Sequence, residues 1–186
     1  MPGTKKKIRQ ELLTEQLNEK PFLTDEELAR LLQVSIQTVR LDRMELGIPE
    51  LRERVRKMAV SAQKKIKTVA SDEIIGEVID LELGKSGISL LHITDDMVFE
   101  KNKVARGHYI YSQASSLALA LIDAPMALTG VANIKYKMPV HVGDKLVAKA
   151  EIVKQRGNKY FVWVKTRNGM EEVFRAKFIV VSWDNN

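Results

Sequence analysis

The side chains best suited to reading DNA are concentrated in one short segment, residues 35 to 43. A glutamine amide can bind adenine through two hydrogen bonds, and an arginine guanidinium can bind guanine in the same way. Serine and threonine hydroxyls suit contacts with phosphates or bases. We therefore predict that five residues of this segment contact DNA, namely Ser35, Gln37, Thr38, Arg40 and Arg43.

The preceding elements decide between DNA reading and a merely solvated helix face. Thr24 and Glu27 have the spacing of a capping box, which predicts a helix over residues 25 to 32. After a short turn, Ser35 can cap a second helix that runs to about residue 46, just before Gly47. Polar residues on one helix alone would be equally typical of solvent exposure. Two capped helices joined by a tight turn instead predict a helix-turn-helix, whose second helix enters the major groove.

Basic residues stand at the start of the chain. A first helix is predicted over roughly residues 7 to 19, and it ends because Lys20 precedes a proline. We predict that the cations at its beginning form a flexible arm that follows phosphates or enters the minor groove, with a solubilising tail as the alternative. These cations are Lys5, Lys6, Lys7 and Arg9.

The composition supports this placement of DNA contacts. The 186-residue chain has a net charge of +6, and residues 1 to 67 hold 15 Lys and Arg against 10 Asp and Glu. Such asymmetry is typical of a contact with nucleic acid or with a membrane surface. The absence of cysteine rules out disulfides and thiolate chemistry. We therefore expect no metal and no cofactor. No apolar run approaches the roughly 20 residues of a membrane span, and we expect no membrane partner and a cytoplasmic location.

The rest of the chain divides into a connecting helix and a sheet-forming region. Residues 49 to about 67 have the pattern of an amphipathic helix, with Leu51, Val55, Met58 and Ala62 on one face. That face must be covered, either by its own domain or by the same helix of a second subunit. We predict three parts: a helix-turn-helix domain over 1–47, a linker helix over 48–70 and a third domain over 71–186.

In the third domain, one nearly uncharged helix interrupts a series of strands. The apolar helix is predicted over 107 to 122, and its composition indicates that it is buried. Periodicity alone predicts an α+β fold with an antiparallel sheet around this helix. The expected strands are 74–83, 88–94, 126–138, 144–155, 159–167 and 171–182.

Arg106 and Gly107 stand where this buried helix begins. An arginine fork matches a carboxylate, and a glycine can open a helix whose N–H groups favour anions. The alternative is that Arg106 is an ordinary surface residue, as most single arginines in loops are.

Several motifs together resemble the FapR repressors of bacterial fatty-acid and phospholipid synthesis, over essentially residues 7 to 183. The motifs are FLTDEEL at 22–28, VSIQTVRLDR at 34–43, IPELR at 48–52, and ARGH at 105–108 followed by QA at 113–114 and SL at 116–117. The resemblance implies a DeoR-like helix-turn-helix, a linker helix and a dimeric hotdog domain related to acyl-CoA thioesterases. It also implies that malonyl-CoA binds the hotdog domain and releases the homodimer from a palindromic operator in double-stranded DNA.

The same resemblance assigns roles in the ligand site. Arg106 pairs with the malonyl carboxylate, Gly107 allows the ligand to approach closely, and Phe99 lies beside the acyl group. Members of the family have asparagine where this chain has Ser115, so a contact made by the longer amide is replaced here by a hydroxyl that can bond a thioester oxygen or a water.

Two other functions are compatible with the sequence. One is an acyl-CoA thioesterase with an accessory DNA-binding domain, and the other is a regulator that answers to a different acyl ligand. Thioester hydrolysis needs a base or a nucleophile, and residues 107 to 122 contain neither Asp nor Glu. We therefore expect no catalytic residues and no enzymatic activity, although Asp95, Asp96, Glu100 and Asp123 flank the helix.

Overall fold

A computed structural model describes residues 2–183, with the side chains of residues 2–4, Gln63 and Ser71 left out. The chain divides into two compact units, one up to Met58 and the other from Ala59 onward. The division falls inside the stretch 48–70 that the sequence predicts as a linker.

The first unit is helical. Its helices are α1 (Pro2–Glu19), α2 (Asp25–Leu32), α3 (Ile36–Glu45) and the first part of α4 (Leu51–Gln63). The predicted capping box is confirmed, because the Thr24 N–H donates to Glu27 Oε2 at 2.8 Å and the Glu27 N–H donates to Thr24 Oγ1 at 3.1 Å. The turn between α2 and α3 is tight, because Gln33 ends α2 in the left-handed region with φ of 53°.

A small apolar core holds α1, α2 and α3 together. It consists of Leu13, Leu17, Leu28, Ala29 and Val39, all buried. The start of α4 is fixed to the same unit by Arg54, whose guanidinium donates to the carbonyl oxygens of Pro21, Leu23 and Pro49 at 3.3, 2.7 and 2.7 Å. Burial lowers the pKa of Arg54. The first turns of α4 are therefore part of the helix-turn-helix unit.

The second unit is a sheet wrapped around one helix. Short 3-10 turns occur at Ser71–Glu73 and Asp95–Met97, and the central helix is α5 (Gly107–Ala120). The strands are β1 (Glu77–Glu82), β2 (Ser86–His92), β3 (Met126–Tyr136), β4 (Lys145–Arg156), β5 (Lys159–Asn168) and β6 (Glu171–Trp183).

The six strands form one sheet in the order β1-β2-β4-β5-β6-β3, and all neighbouring pairs are antiparallel. After β2 the chain forms α5 and then β3 at the far edge of the sheet, so the topology is not a plain meander. Strand β1 begins three residues later than predicted, after Gly76 with φ of +85°. A Cβ at position 76 would lie only 2.5 Å from the Leu90 carbonyl oxygen, so the close approach requires glycine there.

The core of the second unit lies between α5 and the inner face of the sheet. Small residues of α5 such as Ala114 and Ala118 are fully buried and let the strands come close, while Phe174 and Phe178 fill the space from β6. This arrangement is the hotdog fold, as predicted. Its helix places residues 106 and 107 at one end and Ser115 further along.

Candidate nucleic-acid interface and ligand site

The N-terminal half of α3 presents the predicted DNA-reading side chains. Ser35 is the N-cap, and its Oγ accepts the Thr38 N–H at 3.2 Å and lies 2.9 Å from Thr38 Oγ1. Gln37 is exposed, and its side chain makes no hydrogen bond with another described residue. The Arg40 side chain is 51% exposed, with its Nε 3.4 Å from Asp25 Oδ2. Gln37, Thr38 and Arg40 thus remain as donors and acceptors at the start of a helix, where a reading helix needs them.

The structure contradicts the assignment of Arg43 to DNA reading. Its side chain is 4% exposed and donates to both carboxylate oxygens of Asp25, at 2.7 and 2.8 Å, and to the Ile48 carbonyl at 3.1 Å. Positions four apart on a helix share a face, so Arg43 lies on the same side as the fully buried Val39. That spacing was the sequence signal for a structural role. The hydrogen bonds from Arg43 hold the pKa of Asp25 below its usual range.

The prediction of a flexible basic arm is wrong for Lys5, Lys6, Lys7 and Arg9, because all four lie within α1. Lys6 Nζ is 2.7 Å from a Glu45 carboxylate oxygen. Arg9 donates to Asp42 from Nε at 2.5 Å and from Nη2 at 3.1 Å, which lowers the pKa of the buried Asp42. Arg9 therefore fastens α1 to α3, while Lys5 and Lys7 are exposed on the helix surface.

A cavity of about 400 Å³ lies beside the beginning of α5. Gly107 lines it together with Val104, Ala105, Ile110 and residues 136–140. The Tyr136 hydroxyl donates to the Gly107 carbonyl at 2.8 Å, and a Cβ at position 107 would lie 3.0 Å from the tyrosine ring. Partial burial raises the pKa of Tyr136 above its ordinary value. Glycine leaves room here for the close approach of Tyr136, a residue that no local sequence signal connects with position 107.

Arg106 stands at the N-cap of α5, directly between Ala105 and Gly107, although its own side chain is not among the residues that line this cavity. One Nη donates to the Asp96 carbonyl, and the guanidinium carbon lies 5.4 Å from the centroid of the Tyr109 ring. Its Nε is buried and has no acceptor among the described residues. An arginine that keeps a buried donor free beside a helix N-terminus is suited to a carboxylate or phosphate ligand.

The other two predicted ligand residues, Phe99 and Ser115, do not line the Gly107 cavity. The Phe99 side chain is exposed, in a short loop closed by hydrogen bonds between its backbone and those of Lys103 and Val104. Ser115 lines a different cavity, of about 510 Å³, together with Tyr111, Ser112 and residues 126–128 of β3. Ser115 is eight residues beyond Gly107, which is about 12 Å along a helix. Within one chain the structure thus brings Arg106 and Gly107 together but not Ser115.

Comparisons with known proteins agree with both units. The DeoR-like helix-turn-helix domain matches residues 9–65, and the thioesterase superfamily matches residues 104–173. Transcription factor FapR of Caldanaerobacter subterraneus is 63% identical over 178 residues, which are 96% of this chain and 89% of that protein. Transcription factor FapR of Bacillus cereus is 47% identical over 176 residues, 93% of this chain and 89% of the relative. An uncharacterized protein of Pyrococcus horikoshii has a solved structure that superimposes with a TM-score of 0.60, at 29% identity, over 64% of this chain and 93% of its own.

A DeoR-like helix-turn-helix joined to a hotdog unit of the thioesterase superfamily defines a DNA-binding transcription factor with a thioesterase-like second unit. The chain belongs to the FapR family of transcription factors. Among residues 2–183, no helix has the length and apolar character that crossing a membrane requires.

Proposed function

We propose that the chain is a homodimeric repressor of fatty-acid and phospholipid synthesis genes, and that malonyl-CoA releases it from a palindromic operator. It would act in the cytoplasm, where bacterial DNA is. The observation that carries the ligand part is the buried Nε of Arg106, which has no acceptor among the described residues and belongs to the residue directly before Gly107 of the cavity.

The carboxylate explains the choice of ligand within the acyl-CoA class. A malonyl group differs from an acetyl group by one terminal carboxylate, and a guanidinium binds that group through paired, charge-assisted hydrogen bonds. The first N–H groups of α5, which begins at Gly107, add a favourable field for an anion. Phe99 and Ser115 would complete the site at the acyl group and the thioester.

The edge strand β3 supports a homodimer. One edge of β3 pairs with β6, and its exposed side chains include the apolar Met126, Leu128, Val131, Ile134 and Tyr136. Monomeric proteins rarely leave a long apolar edge strand uncovered, and a second copy related by a two-fold axis covers it by the same contacts on both sides.

Such pairing would also bring the separated ligand residues together. The Ser115 cavity opens next to residues 126–128 of β3, whereas the Gly107 cavity lies at Tyr136, the other end of the strand. Antiparallel pairing of β3 with its copy sets the first end of one strand beside the last end of the other. The Gly107 cavity of one subunit would then face the Ser115 cavity of the second, and each site would use both chains.

The cavities favour a sensor over a thioesterase. Among the described residues that line the two cavities, Glu73 is the single carboxylate, and its Oε2 accepts the Ala70 N–H at 2.8 Å. A carboxylate engaged in capping is poorly placed to activate water. An intact ligand also preserves the signal that a repressor has to read.

We assign residues 48–70 to the linker region, between a first domain over 1–47 and a last domain over 71–186. The switch would be a shift between two arrangements of this linker region. Arg54 holds the first turns of α4 in the DNA-binding unit, while Ala62 belongs to the apolar core of the second unit. A ligand releases DNA only if it binds the incompetent arrangement more tightly. Replacing Val55 or Met58 with Glu should uncouple malonyl-CoA from DNA release, and unchanged repression and induction would contradict a role for α4.

The ligand proposal is tested by thermal unfolding of the protein with malonyl-CoA, acetyl-CoA and free CoA. Malonyl-CoA at about 100 times its dissociation constant should add roughly 2.7 kcal/mol of stability. Arg106→Gln should abolish this shift, whereas Lys103→Gln in the same loop, whose side chain is 54% exposed, should keep it. Equal shifts with acetyl-CoA would exclude the carboxylate contact, and steady release of CoA would identify a thioesterase.

The DNA part is tested with the natural promoter fragments of the lipid genes. Gln37→Ala and Arg40→Ala should each weaken operator binding by about 1–3 kcal/mol and relax the base preference. Arg30→Ala, an exposed arginine of α2, is the matched control. If Arg30→Ala weakens operator binding as much as Arg40→Ala does, α3 is not the reading helix.

A further inference from the structure

Four cations stand directly opposite one another on the outer face of the hotdog sheet. Lys149 of β4 pairs with Lys165 of β5, Lys165 pairs with Arg175 of β6, and Arg175 pairs with Lys135 of β3. All four side chains are exposed, while their neighbours along each strand, such as Ala148, Val164 and Ala176, are buried in the core. We call these four residues the cationic row.

The cationic row is an arrangement that a sheet selected only for stability would avoid. Like charges directly opposite each other destabilise neighbouring strands. Within the described residues, none of the four has a carboxylate oxygen within 4.0 Å. Glu151 lies two residues from Lys149 on the same face, and Glu172, whose charge Arg175 and Lys165 also feel, is held by Lys137 at 2.5 Å. Among the described residues, no carboxylate forms a close ion pair with any of the four, and the row keeps a net positive charge.

The positive surface continues beside the row. Trp163 is 46% exposed, and Lys177 Nζ lies 4.6 Å from the centroid of its ring. A depression of about 450 Å³ next to this tryptophan is lined by three cations and one carboxylate, namely Lys149, Lys165, Arg167 and Glu151. The outer face thus carries cations both along the strands and across them, on a sheet whose strands are fixed by hydrogen bonds.

We propose that the cationic row binds the phosphate backbone of double-stranded DNA, as a second, sequence-independent DNA contact located on the hotdog unit. The charges are complementary: four strands about 4.8 Å apart extend over about 14 Å, a length along which duplex DNA presents roughly eight phosphate charges. A second copy of the same face is excluded as the occupant, because it would set cations against cations.

Double-stranded DNA is the polyanion that this chain meets when its helix-turn-helix binds. Attaching a weak second site to a strong first one turns its binding into an intramolecular event with a high effective concentration. The cationic row then adds affinity without reading bases. This proposal goes beyond the operator and the ligand, because it depends on neither the bases that α3 reads nor the occupant of the Gly107 cavity.

The test compares the full chain with the triple variant Lys135→Gln, Lys149→Gln and Lys165→Gln. Binding to a random-sequence duplex of about 40 base pairs is followed by fluorescence anisotropy over a range of salt concentrations. Each phosphate contact contributes about 0.9 to the slope of log affinity against log salt, so the triple variant should lose about 2.7 of that slope. The matched control removes three cations from the β4–β5 hairpin, Lys154→Gln, Arg156→Gln and Lys159→Gln, and should lose less than about 0.9.

Two further readouts separate the cationic row from the reading helix and from a folding defect. In a chain that carries Gln37→Ala and Arg40→Ala, the preference for operator DNA should disappear. Adding the triple substitution of the cationic row to that chain should still lower the slope of log affinity against log salt. The triple variant should also unfold at a temperature equal to or above that of the wild type, because it relieves like-charge repulsion. An unchanged salt slope in the triple variant would overturn the proposal. The proposal would also be overturned if the triple variant lost binding to anionic phospholipid vesicles while its binding to DNA stayed unchanged.

Discussion

The two units of the molecule are stabilised in different ways. In the helix-turn-helix unit, five buried apolar side chains form the described core, and charged groups are buried beside them, Asp42 and Arg43 at 1% and 3% exposure. In the hotdog unit the described core holds twenty-eight apolar side chains. The buried polar residues there, such as Gln113, Ser89 and Thr166, are all uncharged.

This difference shows how a small DNA-binding unit compensates for a small core. Five buried apolar side chains are too few to fix the relative positions of three helices. The pairs Arg9–Asp42 and Arg43–Asp25 connect α3 to α1 and α2 and so orient α3. The stability of the DNA-binding unit should therefore depend on charge and pH, whereas that of the hotdog unit should depend on packing. The two tryptophans, Trp163 and Trp183, both lie in the hotdog unit, so their fluorescence reports that unit alone.

The largest expected effect is on packing in the hotdog unit. Phe174→Ala removes a fully buried ring of β6 and should lower the free energy of unfolding by about 3–5 kcal/mol. Urea unfolding followed by tryptophan fluorescence measures this loss. Met170→Ala, at a side chain that is 91% exposed, should leave the transition unchanged. A small loss for Phe174→Ala would mean that packing is not what stabilises this unit.

Removing Arg43 should have the next largest effect, and in the other unit. Arg43→Met leaves Asp25 without its buried partner, which typically costs about 3 kcal/mol or more. The helical signal at 222 nm should be lost at lower urea, while the tryptophan transition stays in place. Arg40→Met removes the exposed partner of the same carboxylate and should cost less than about 1 kcal/mol. Equal effects of the two variants would show that burial of the pair does not matter.

Lowering the pH should reveal the different stabilities of the two units without any mutation. The pKa values of Asp25 and Asp42 are lowered by Arg43 and Arg9, so in the folded state both stay ionised where the unfolded chain takes up protons. Their stabilisation is complete above about pH 5 and is lost as the pH falls below about 4, through the lowered pKa values. Circular dichroism should show the helical unit melting first in acid. Simultaneous loss of tryptophan fluorescence would contradict the comparison.

The smallest effect is expected at the helix cap. Thr24→Ala removes the hydroxyl of the capping box and should lower the stability of the helix-turn-helix unit by about 1 kcal/mol. Thr24→Ser restores the hydroxyl and should recover most of the loss in the same urea titration. Failure of serine to restore stability would point to the threonine methyl group instead.

The local parts of this structure could be predicted from the sequence. The starts of α2 and α3 follow from capping residues, and the observed α5, β4, β5 and β6 lie within a few residues of their predicted limits, because caps, turns and periodicity are local signals. The family motifs also led to the correct fold of both units.

What the sequence could not supply depends on contacts between distant positions. The pairing of β3 with β6 places β3 at the far edge of the sheet, and nothing in either strand specifies that partner. Arg9 was expected in a flexible arm because its partner, Asp42, is 33 residues away. The ligand residues Phe99, Arg106, Gly107 and Ser115 stay predictions, and only the proximity of Arg106 and Gly107 could be read from their adjacency.

The contact between Gly107 and Tyr136 has a consequence for evolution. A methyl group at position 107 would lie 3.0 Å from the tyrosine ring, and the tyrosine hydroxyl bonds to the carbonyl of the same glycine. A larger residue at position 107 therefore requires that the tyrosine ring shift or that position 136 become smaller. Two positions 29 residues apart in the chain should vary together among descendants of this protein, and a lineage that alters one should carry the compensating change in the other.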